Sequence, residues 1–557
     1  MTSQTKNILR PVILFALLLI PAFYTMGMAI ELEYSWLKKI VYLTVVIVLL
    51  VLPALFLKAR TYFIAEGVLN FLFFPIEITS LYLNHQATSA PFLQNIFHTN
   101  LGEATELIMA LWPLCLIVTG LWILYFVLAF RVTNTYLFDA SFRKWIIGIA
   151  VALMAGGLVV MTVFIRRIHP ERTAGEALRE AVGLVELKLN KIYPYNLYIH
   201  STSLWQRQRR VKRMEKEVSA YSFGIRPVVK SSNELYILVI GEASRYDHWS
   251  LNGYTRNTTP LLKTTDHLVS YEHVYTEANQ TDIALPILLT RANAACMDIS
   301  YREKSLPEAY QEAGIWTGYI SKQISSDFTE RIRQTCDYSY FYAKNFDADG
   351  NYDEAMIDQV RATVSDTTQF YLLHSLGSHF RYEHRYPETF SIYEPVLGKS
   401  AGYTGLTEAN KIPMINAYDN SIRYTDYFLH ALIQYIDSLD RVAVLVYLSD
   451  HGESFWDDSR KLSLHGSYQT SEAEYHVPMI VWYSDEYAAC YPEKVKSMEQ
   501  NKTTPVSSDV VFYSMLDIAG IENGIDSTRS ICSPALVACD TVWVHTGAGT
   551  VEPFVIP

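Results

Sequence analysis

Ser449-Asp450-His451-Gly452-Glu453-Ser454 follows an unbroken apolar run, Val442 to Leu448. A run of that length with polar residues at its end reads as a buried strand. An acid and an imidazole placed side by side where the strand emerges are the residue types that ligate a metal ion. Two more apolar runs end in the same manner: Leu235 to Ile240 leads into Gly241-Glu242-Ala243-Ser244-Arg245, and Phe370 to Leu373 into His374-Ser375-Leu376-Gly377-Ser378-His379. Three strands therefore deliver polar groups at their carboxyl ends, where open α/β sheets keep their ligands.

From Glu234 onward, short runs rich in Val, Ile, Leu and Tyr alternate with longer helical patterns; Asn416 to Ile436 reads as a helix and Val477 to Tyr483 as a further buried strand. That alternation predicts a mostly parallel sheet with helices on both faces. Neither GxxxxGK[ST] nor GxGxxG occurs, which argues against nucleotide-driven chemistry. The formal charge of -11 gives no footprint for nucleic acid and keeps a large domain soluble.

A chain of 557 residues exceeds one core, and composition shows where it divides. Pro11 to Ile30, Ile40 to Leu57, Gly67 to Leu83, Leu107 to Phe130 and Trp145 to Ile165 are nearly uncharged, each close to the ~20 residues a membrane-crossing helix needs. A five-span count puts Lys6, Arg10, Lys58, Arg60, Arg131, Arg143 and Lys144 on one side, against Lys38 and Lys39 opposite, so the amino terminus is cytoplasmic and the large domain is exported. Arg166, Arg167 and Arg172 run against that count. The domains are expected at 1–168 (five membrane helices), 169–230 (bridging helices) and 231–557 (the exported catalytic domain). Within the bridge, Ala177, Leu178, Ala181, Val182, Val185 and Leu189 recur at helical spacing, suiting a helix lying on the membrane or packed on the exported domain. Arg207, Arg209, Arg210, Lys212, Arg213 and Lys216 follow as a basic stripe, either a solvated linker or a contact for anionic head groups. Of six cysteines, Cys296 with Cys336 and Cys532 with Cys539 are plausible disulfides in an oxidising compartment.

Glu242, Asp450 and His451 offer three metal ligands, and a zinc-type site takes about four. Thr281 is the candidate for the fourth and for the nucleophile: it stands in Asn279-Gln280-Thr281-Asp282 before the apolar helix Ile283 to Thr290, where a hydroxyl feels the helix dipole and free backbone N–H groups. The same threonine suits an ordinary helix cap. His379 and His465, the latter in Leu464-His465-Gly466, could hold phosphate oxygens, shuttle a proton or bind a second metal.

Gly241 to Arg245 with Gly253-Tyr254-Thr255-Arg256-Asn257-Thr258-Thr259-Pro260, then Gly377-Ser378-His379, Tyr424-Thr425-Asp426, Ser449 to Ser454 and His465-Gly466, resembles the membrane-bound phosphoethanolamine transferases of the alkaline-phosphatase and sulfatase superfamily, which include the mobile colistin-resistance enzymes. The resemblance implies an α-helical membrane domain joined to an α/β alkaline-phosphatase-like domain, in the bacterial inner membrane with the catalytic domain in the periplasm. It implies Zn2+ at Glu242, Thr281, Asp450 and His451, one ion with a second possible, and His379 and His465 near phosphate and substrate. Asn100 and Glu103, in Thr99 to Glu106, fall in the family's outward loop for the lipid donor, Lys322 is the candidate for its lysine contact, and the protein is expected to be a monomer. Relatives read Cys-Gly-Thr around the nucleophile with a second Cys after the proline; Asn279-Gln280-Thr281 and Pro286-Ile287-Leu288 here lack that disulfide. Glu77, inside the third apolar stretch, is a functional candidate by its depth, and an unremarkable residue if it lies at a helix end.

The activity implied is transfer of phosphoethanolamine from phosphatidylethanolamine to lipid A or another envelope glycan through a covalent threonine intermediate. A phosphoglycerol transferase or phosphohydrolase of the same superfamily is the alternative. A sulfatase would need its Cys or Ser in CxPxR or SxPxR, and Thr281 lies in neither. The non-enzymatic alternative is a membrane protein binding envelope glycans, in which Glu242, Asp450 and His451 need not meet.

Overall fold

The computed structural model describes residues 3–28, 36–84, 87–89, 111–168, 192–225, 233–323, 326–342, 352–398, 406–521 and 526–557, with isolated positions between 92 and 109 and between 174 and 189. Asn100 and Glu103 lie outside the described residues, as do most of the expected bridging helix and the side chains of all the basic stripe except Arg209. The chain forms two compact units, one of residues 1–97 and 111–206 and one of residues 98–110 and 207–557.

The first unit is helical because its apolar stretches carry almost no charge to solvate and no period of two. Its long helices are α1 (Ser3–Met28), α2 (Trp36–Ala54), α3 (Ala59–Asn84), α4 (Trp112–Phe130) and α5 (Ala140–Ile168). All five expected spans are thus helices. Four are long and apolar enough to cross a membrane, and the apolar part of α2, Lys39–Ala54, is shorter. Trp145, Val159 and Phe164 on α5 are exposed, as side chains facing lipid would be. Glu77 sits two turns inside α3, fully buried; its Oε2 accepts from the Thr88 N–H at 3.0 Å and the Asn196 Nδ2 at 2.8 Å, so it is not a helix-end residue. A further helix, α6 (Tyr195–Ala220), follows in the chain.

In the second unit a seven-stranded sheet forms around Leu235–Gly241, in which every residue is buried. With β1 Leu235–Gly241, β2 Leu268–Tyr271, β3 Trp316–Ser321, β4 Tyr338–Phe341, β5 Gln369–His374, β6 Ala443–Ser449 and β7 Met479–Tyr483, the order is β2-β7-β6-β1-β5-β3-β4. Alternation splits β1 between two cores: Tyr236, Leu238 and Ile240 enter one, Leu235, Ile237 and Val239 the other. Each such fully buried side chain contributes roughly 1.5–3 kcal/mol. The expected strand at 477–483 is present as β7 but runs antiparallel to β6 and β2, so the sheet is mixed at that edge. The expected helix is longer at both ends, α8 (Lys411–Asp437), and covers one face; α7 (Thr281–Leu289) packs Leu285, Leu288 and Leu289 into the core on the other.

The cysteine pairing is corrected by the structure: all six are free thiols. Cys532 is buried in the main core while Cys539 packs in a small cluster with Tyr275 and Tyr475, and Cys296 is exposed while Cys336 lies against the core. Nearness in sequence put these residues on different surfaces.

Candidate metal centre

Strand register builds the site. Gly241 pairs with Ser449 in the parallel β1–β6 ladder, so the next residues, Glu242 and Asp450, emerge side by side. Ala243 then turns the chain with φ +54, a left-handed conformation uncommon for a residue with a Cβ, and donates its N–H to Asp450 Oδ1 at 3.2 Å. Gly377 closes over the same turn; its φ is +48, and a Cβ there would lie 2.9 Å from the Glu242 nitrogen and 3.0 Å from its oxygen.

Glu242, Asp450 and His451 are wholly buried and offer ligand atoms within 4.8 Å of one another. His451 Nε2 lies 3.4 Å from Glu242 Oε1 and 3.5 Å from Asp450 Oδ2. The Thr281 hydroxyl completes the group, 3.2 Å from Glu242 Oε2 and 3.3 Å from His451 Nε2. Thr281 is the first residue of α7 and Gln280 is its cap, so the hydroxyl faces the carboxylates and the capping alternative is set aside.

These residues fit a divalent cation. Asp450 Oδ1 is occupied by the N–H groups of Ala243 and His451, whereas Oδ2 is buried with no hydrogen-bond partner among the described residues. His451 Nδ1–H donates to Gly452 O at 2.9 Å, which leaves the Nε2 lone pair for a ligand bond. Electrostatics agrees: burial and the neighbouring Glu242 charge push the Asp450 carboxyl up. Burial would raise Glu242 too, but the hydrogen bond and charge of His451, with His379 and His465, hold it below the usual carboxylate range. Burial opposes protonation of His451, yet Asp450 and Glu242 raise it to about 10. A cation replaces that proton with a better-matched charge.

His465 reaches the centre through a two-residue antiparallel ribbon, Ser454–Phe455 with Ser463–Leu464, that folds the chain back on itself. Its ring lies 4.0 Å from that of His451, and its Nδ1 lies 3.2 Å from the buried Glu453 carboxylate, which also accepts from Tyr382 OH at 3.0 Å. His379 donates from Nδ1 to Phe380 O at 3.3 Å; burial, only partly countered by Glu242, lowers it to about 4, so the ring is neutral at pH 7. Lys322 is fully buried with its Nζ 3.9 Å from the Tyr342 ring centre, and burial lowers it to about 8 against the pull of Asp353 and Glu354.

The structure brings Glu242, Thr281, Asp450, His451 and His465 together, sets His379 within electrostatic reach and turns Lys322 into the fold. Sequence reasoning missed Gln323, whose Nε2 donates to Glu242 Oε2 at 3.0 Å and to Ser375 O at 3.1 Å. The rule that found Glu242, a polar group beyond an apolar strand, applies equally to Trp316–Ser321 and would have found it. It also missed Asp353, which accepts from the N–H groups of Leu376 and Gly377, both at 2.9 Å, and braces the turn over Glu242.

Comparison with known proteins follows this geometry. The chain is 28% identical over 320 residues to the phosphoethanolamine transferase EptC of Escherichia coli O18:K1:H7, matching 55% of this chain and 54% of that protein; the chain spans about half the length of the curated relatives it matches. The C-terminal periplasmic domain of E. coli EptC, crystallised in complex with Zn, superposes with TM-score 0.53 at 26% identity, over 60% of this chain and 95% of that one. The integral membrane protein EptA of Neisseria meningitidis shares the fold at TM-score 0.69 and 19% identity, over 94% and 98%. That likeness extends to the helical unit and agrees with a multi-pass membrane protein. The sulfatase family model matches residues 234–521, more than half of the chain and every residue of the centre, and the chain belongs to that family.

Proposed function

We propose that this protein is a zinc-dependent phosphoethanolamine transferase of the bacterial inner membrane, acting at its periplasmic face as a monomer on phosphatidylethanolamine and a lipid A or other envelope-glycan acceptor. The observation that carries the reading is the meeting of the Thr281 hydroxyl with Glu242, Asp450 and His451, which arise up to about two hundred residues apart. Glu242, Asp450, His451 and Thr281 would hold the ion. When bound, zinc supplies positive charge that favours the Thr281 alkoxide and offsets charge on the phosphoryl oxygens.

Thr281 Oγ forms a bond to phosphorus as the bond from phosphorus to the glycerol oxygen breaks. The hydroxyl proton leaves through the carboxylate and imidazole cluster around it, and the glycerol oxygen takes a proton to depart as diacylglycerol. His465, held at Nδ1 by Glu453, gives that proton, whereas the neutral His379 ring, which donates from Nδ1 to Phe380 O, acts through Nε2 as the acceptor of a proton. An acceptor oxygen then forms a bond to phosphorus as the bond from phosphorus to Thr281 Oγ breaks, and Oγ takes back a proton from the cluster to restore the hydroxyl. Asn100 and Glu103 are proposed to hold the donor head group. Phosphoryl transfer depends mainly on such positioning and charge compensation.

The test is intact-mass analysis of zinc-loaded protein incubated with phosphatidylethanolamine vesicles, followed by lipid A. A threonine adduct of phosphoethanolamine that disappears as lipid A gains the same group supports the assignment. A phosphoglycerol adduct, or loss of the group to water alone, moves the protein to the alternatives within its superfamily; absence of both zinc binding and adduct favours a glycan-binding protein.

A further inference from the structure

Glu474 is a fully buried carboxylate to which the chemistry above gives no part, yet it accepts five hydrogen bonds. Its Oε1 takes Ser454 OH at 2.8 Å, Ser467 OH at 2.7 Å and Arg460 Nη1 at 2.8 Å; its Oε2 takes Asn279 Nδ2 at 2.8 Å and the Ser467 N–H at 3.2 Å. Asn279, Ser454 and Ser467 belong to three of the four segments that carry the centre. Asn279 stands two residues before Thr281, Ser454 three after His451 and Ser467 two after His465. The segments are packed as well as bonded. Asn279 Nδ2 also donates to Ser467 O at 3.0 Å, a Cβ on Gly466 would lie 2.9 Å from Gln280 Nε2, and a Cβ on Gly452 would lie 2.1 Å from Ala473 O. Backbone bonds from Gly452 N to Glu474 O at 2.8 Å and from Glu453 N to Ala473 O at 2.9 Å complete the tie.

We propose that Glu474, acting through Asn279 and Ser467, is the positioning residue that fixes the Thr281 hydroxyl relative to His465. The inference rests on the reading of Thr281 as the nucleophile. The wholly buried carboxylate is paired with Arg460 at 2.8 Å and holds its five donors at once. No disulfide ties these segments, since every cysteine is a free thiol. Thr281 begins a helix and His465 ends a two-residue ribbon, so neither has a strand of the main sheet to fix it, whereas Glu242 and Asp450 do. A displacement of about 1 Å at a reacting atom can cost about a hundredfold in rate.

The test uses full-length, zinc-loaded protein with phosphatidylethanolamine vesicles. Asn279→Ala, Glu474→Gln and the double variant are compared with wild type for zinc content, melting temperature, KM for donor and the single-turnover rate of threonine-adduct formation. Asn279→Ala should keep its zinc and KM and slow adduct formation roughly 10- to 100-fold. The double variant should be no slower than the worse single variant, because both changes cut the same link. Asn279→Ala leaves the Arg460–Glu474 pair in place, so it decides the matter even where Glu474→Gln fails to fold. An unchanged rate in Asn279→Ala, multiplied losses in the double variant, or a rate loss matched by zinc loss would each overturn the proposal. Wild type that forms no adduct overturns the nucleophile reading itself, and the wild-type control tells that failure from the others.

Discussion

Thr281→Ala separates chemistry from architecture at this centre. The hydroxyl lies 3.2 Å from Glu242 Oε2 and 3.3 Å from His451 Nε2, long for hydrogen bonds. Their loss should cost no more than about 1–2 kcal/mol. Alanine at the first position of α7 returns a few tenths of a kcal/mol through helix propensity. Three buried ligands remain, so the variant should fold, melt within a few degrees of wild type and bind zinc. Turnover should behave quite differently. If Thr281 Oγ is the atom that takes the phosphoryl group, its removal abolishes the covalent path and leaves only positioned substrate, a loss of at least about 10⁴-fold, or about 5.4 kcal/mol in the barrier. Thr281→Ser keeps the oxygen and should stay within about tenfold of wild type. Zinc content by elemental analysis, melting temperature and product formation in mixed vesicles are measured on one preparation of each variant. Turnover by Thr281→Ala within tenfold of wild type would refute the reasoning, as would an adduct at another residue.

Three further outcomes are expected. Because Asp450 and Glu242 overcome burial and raise His451 to about 10, the metal-free ring is protonated at pH 7; zinc should expel about one proton, and its affinity should rise about tenfold per pH unit from pH 7 to 9 and fall as pH drops. Titration calorimetry in two buffers of different ionisation enthalpy checks this, and a buffer-independent heat would contradict it. Gly377→Ala puts a Cβ 2.9 Å from the Glu242 nitrogen at φ +48, so backbone must move; about 1–2 kcal/mol of strain and weaker zinc binding should appear together in melting and metal-competition assays. Burial raises Asp426 to about 6 from 3.8 despite the N–H donors of Leu261 and Leu262. The folded state therefore holds the proton more tightly than the unfolded one, a contribution fully present below about 4 and lost as pH rises through 6. Asp426→Asn should gain about 2 kcal/mol relative to wild type between pH 4 and 7 in denaturant midpoints.

The strands that carry Glu242 and Asp450 were legible because both of their faces are buried, which turns alternation into continuous apolar runs such as Leu235–Ile240. The five membrane stretches were legible for a related reason, since lipid admits almost no charge. What sequence could not give was register. Nothing in Gly241 or Ser449 shows that they pair, yet that pairing sets the two acids side by side. Direction was hidden as well: β7 is as apolar as the parallel strands of the sheet, and an antiparallel strand buried on both faces reads the same way. Glu474 was invisible because its partner Asn279 lies 195 residues away and either residue alone suits a surface loop. The cysteine pairs failed on the same point, since seven residues separate Cys532 and Cys539 in the chain while two different cores separate them in space.

The division of labour among elements follows from what each group must do. A metal ligand must hold one position against the charge repulsion of its neighbours, and Glu242 and Asp450 sit directly beyond β1 and β6, adjacent in the middle of the sheet and wholly buried. A residue that meets a succession of partners, first a lipid phosphate and then an acceptor, is better placed where the backbone has no ladder to break. His465 occupies such a place at the end of the short ribbon Ser463–Leu464, and Thr281 another at the first turn of α7. That freedom would let the two groups drift apart without a cross-tie. The five hydrogen bonds on Glu474 join their segments, so under the proposed function the sheet would set metal geometry while a carboxylate that touches neither group would set the geometry between nucleophile and histidine.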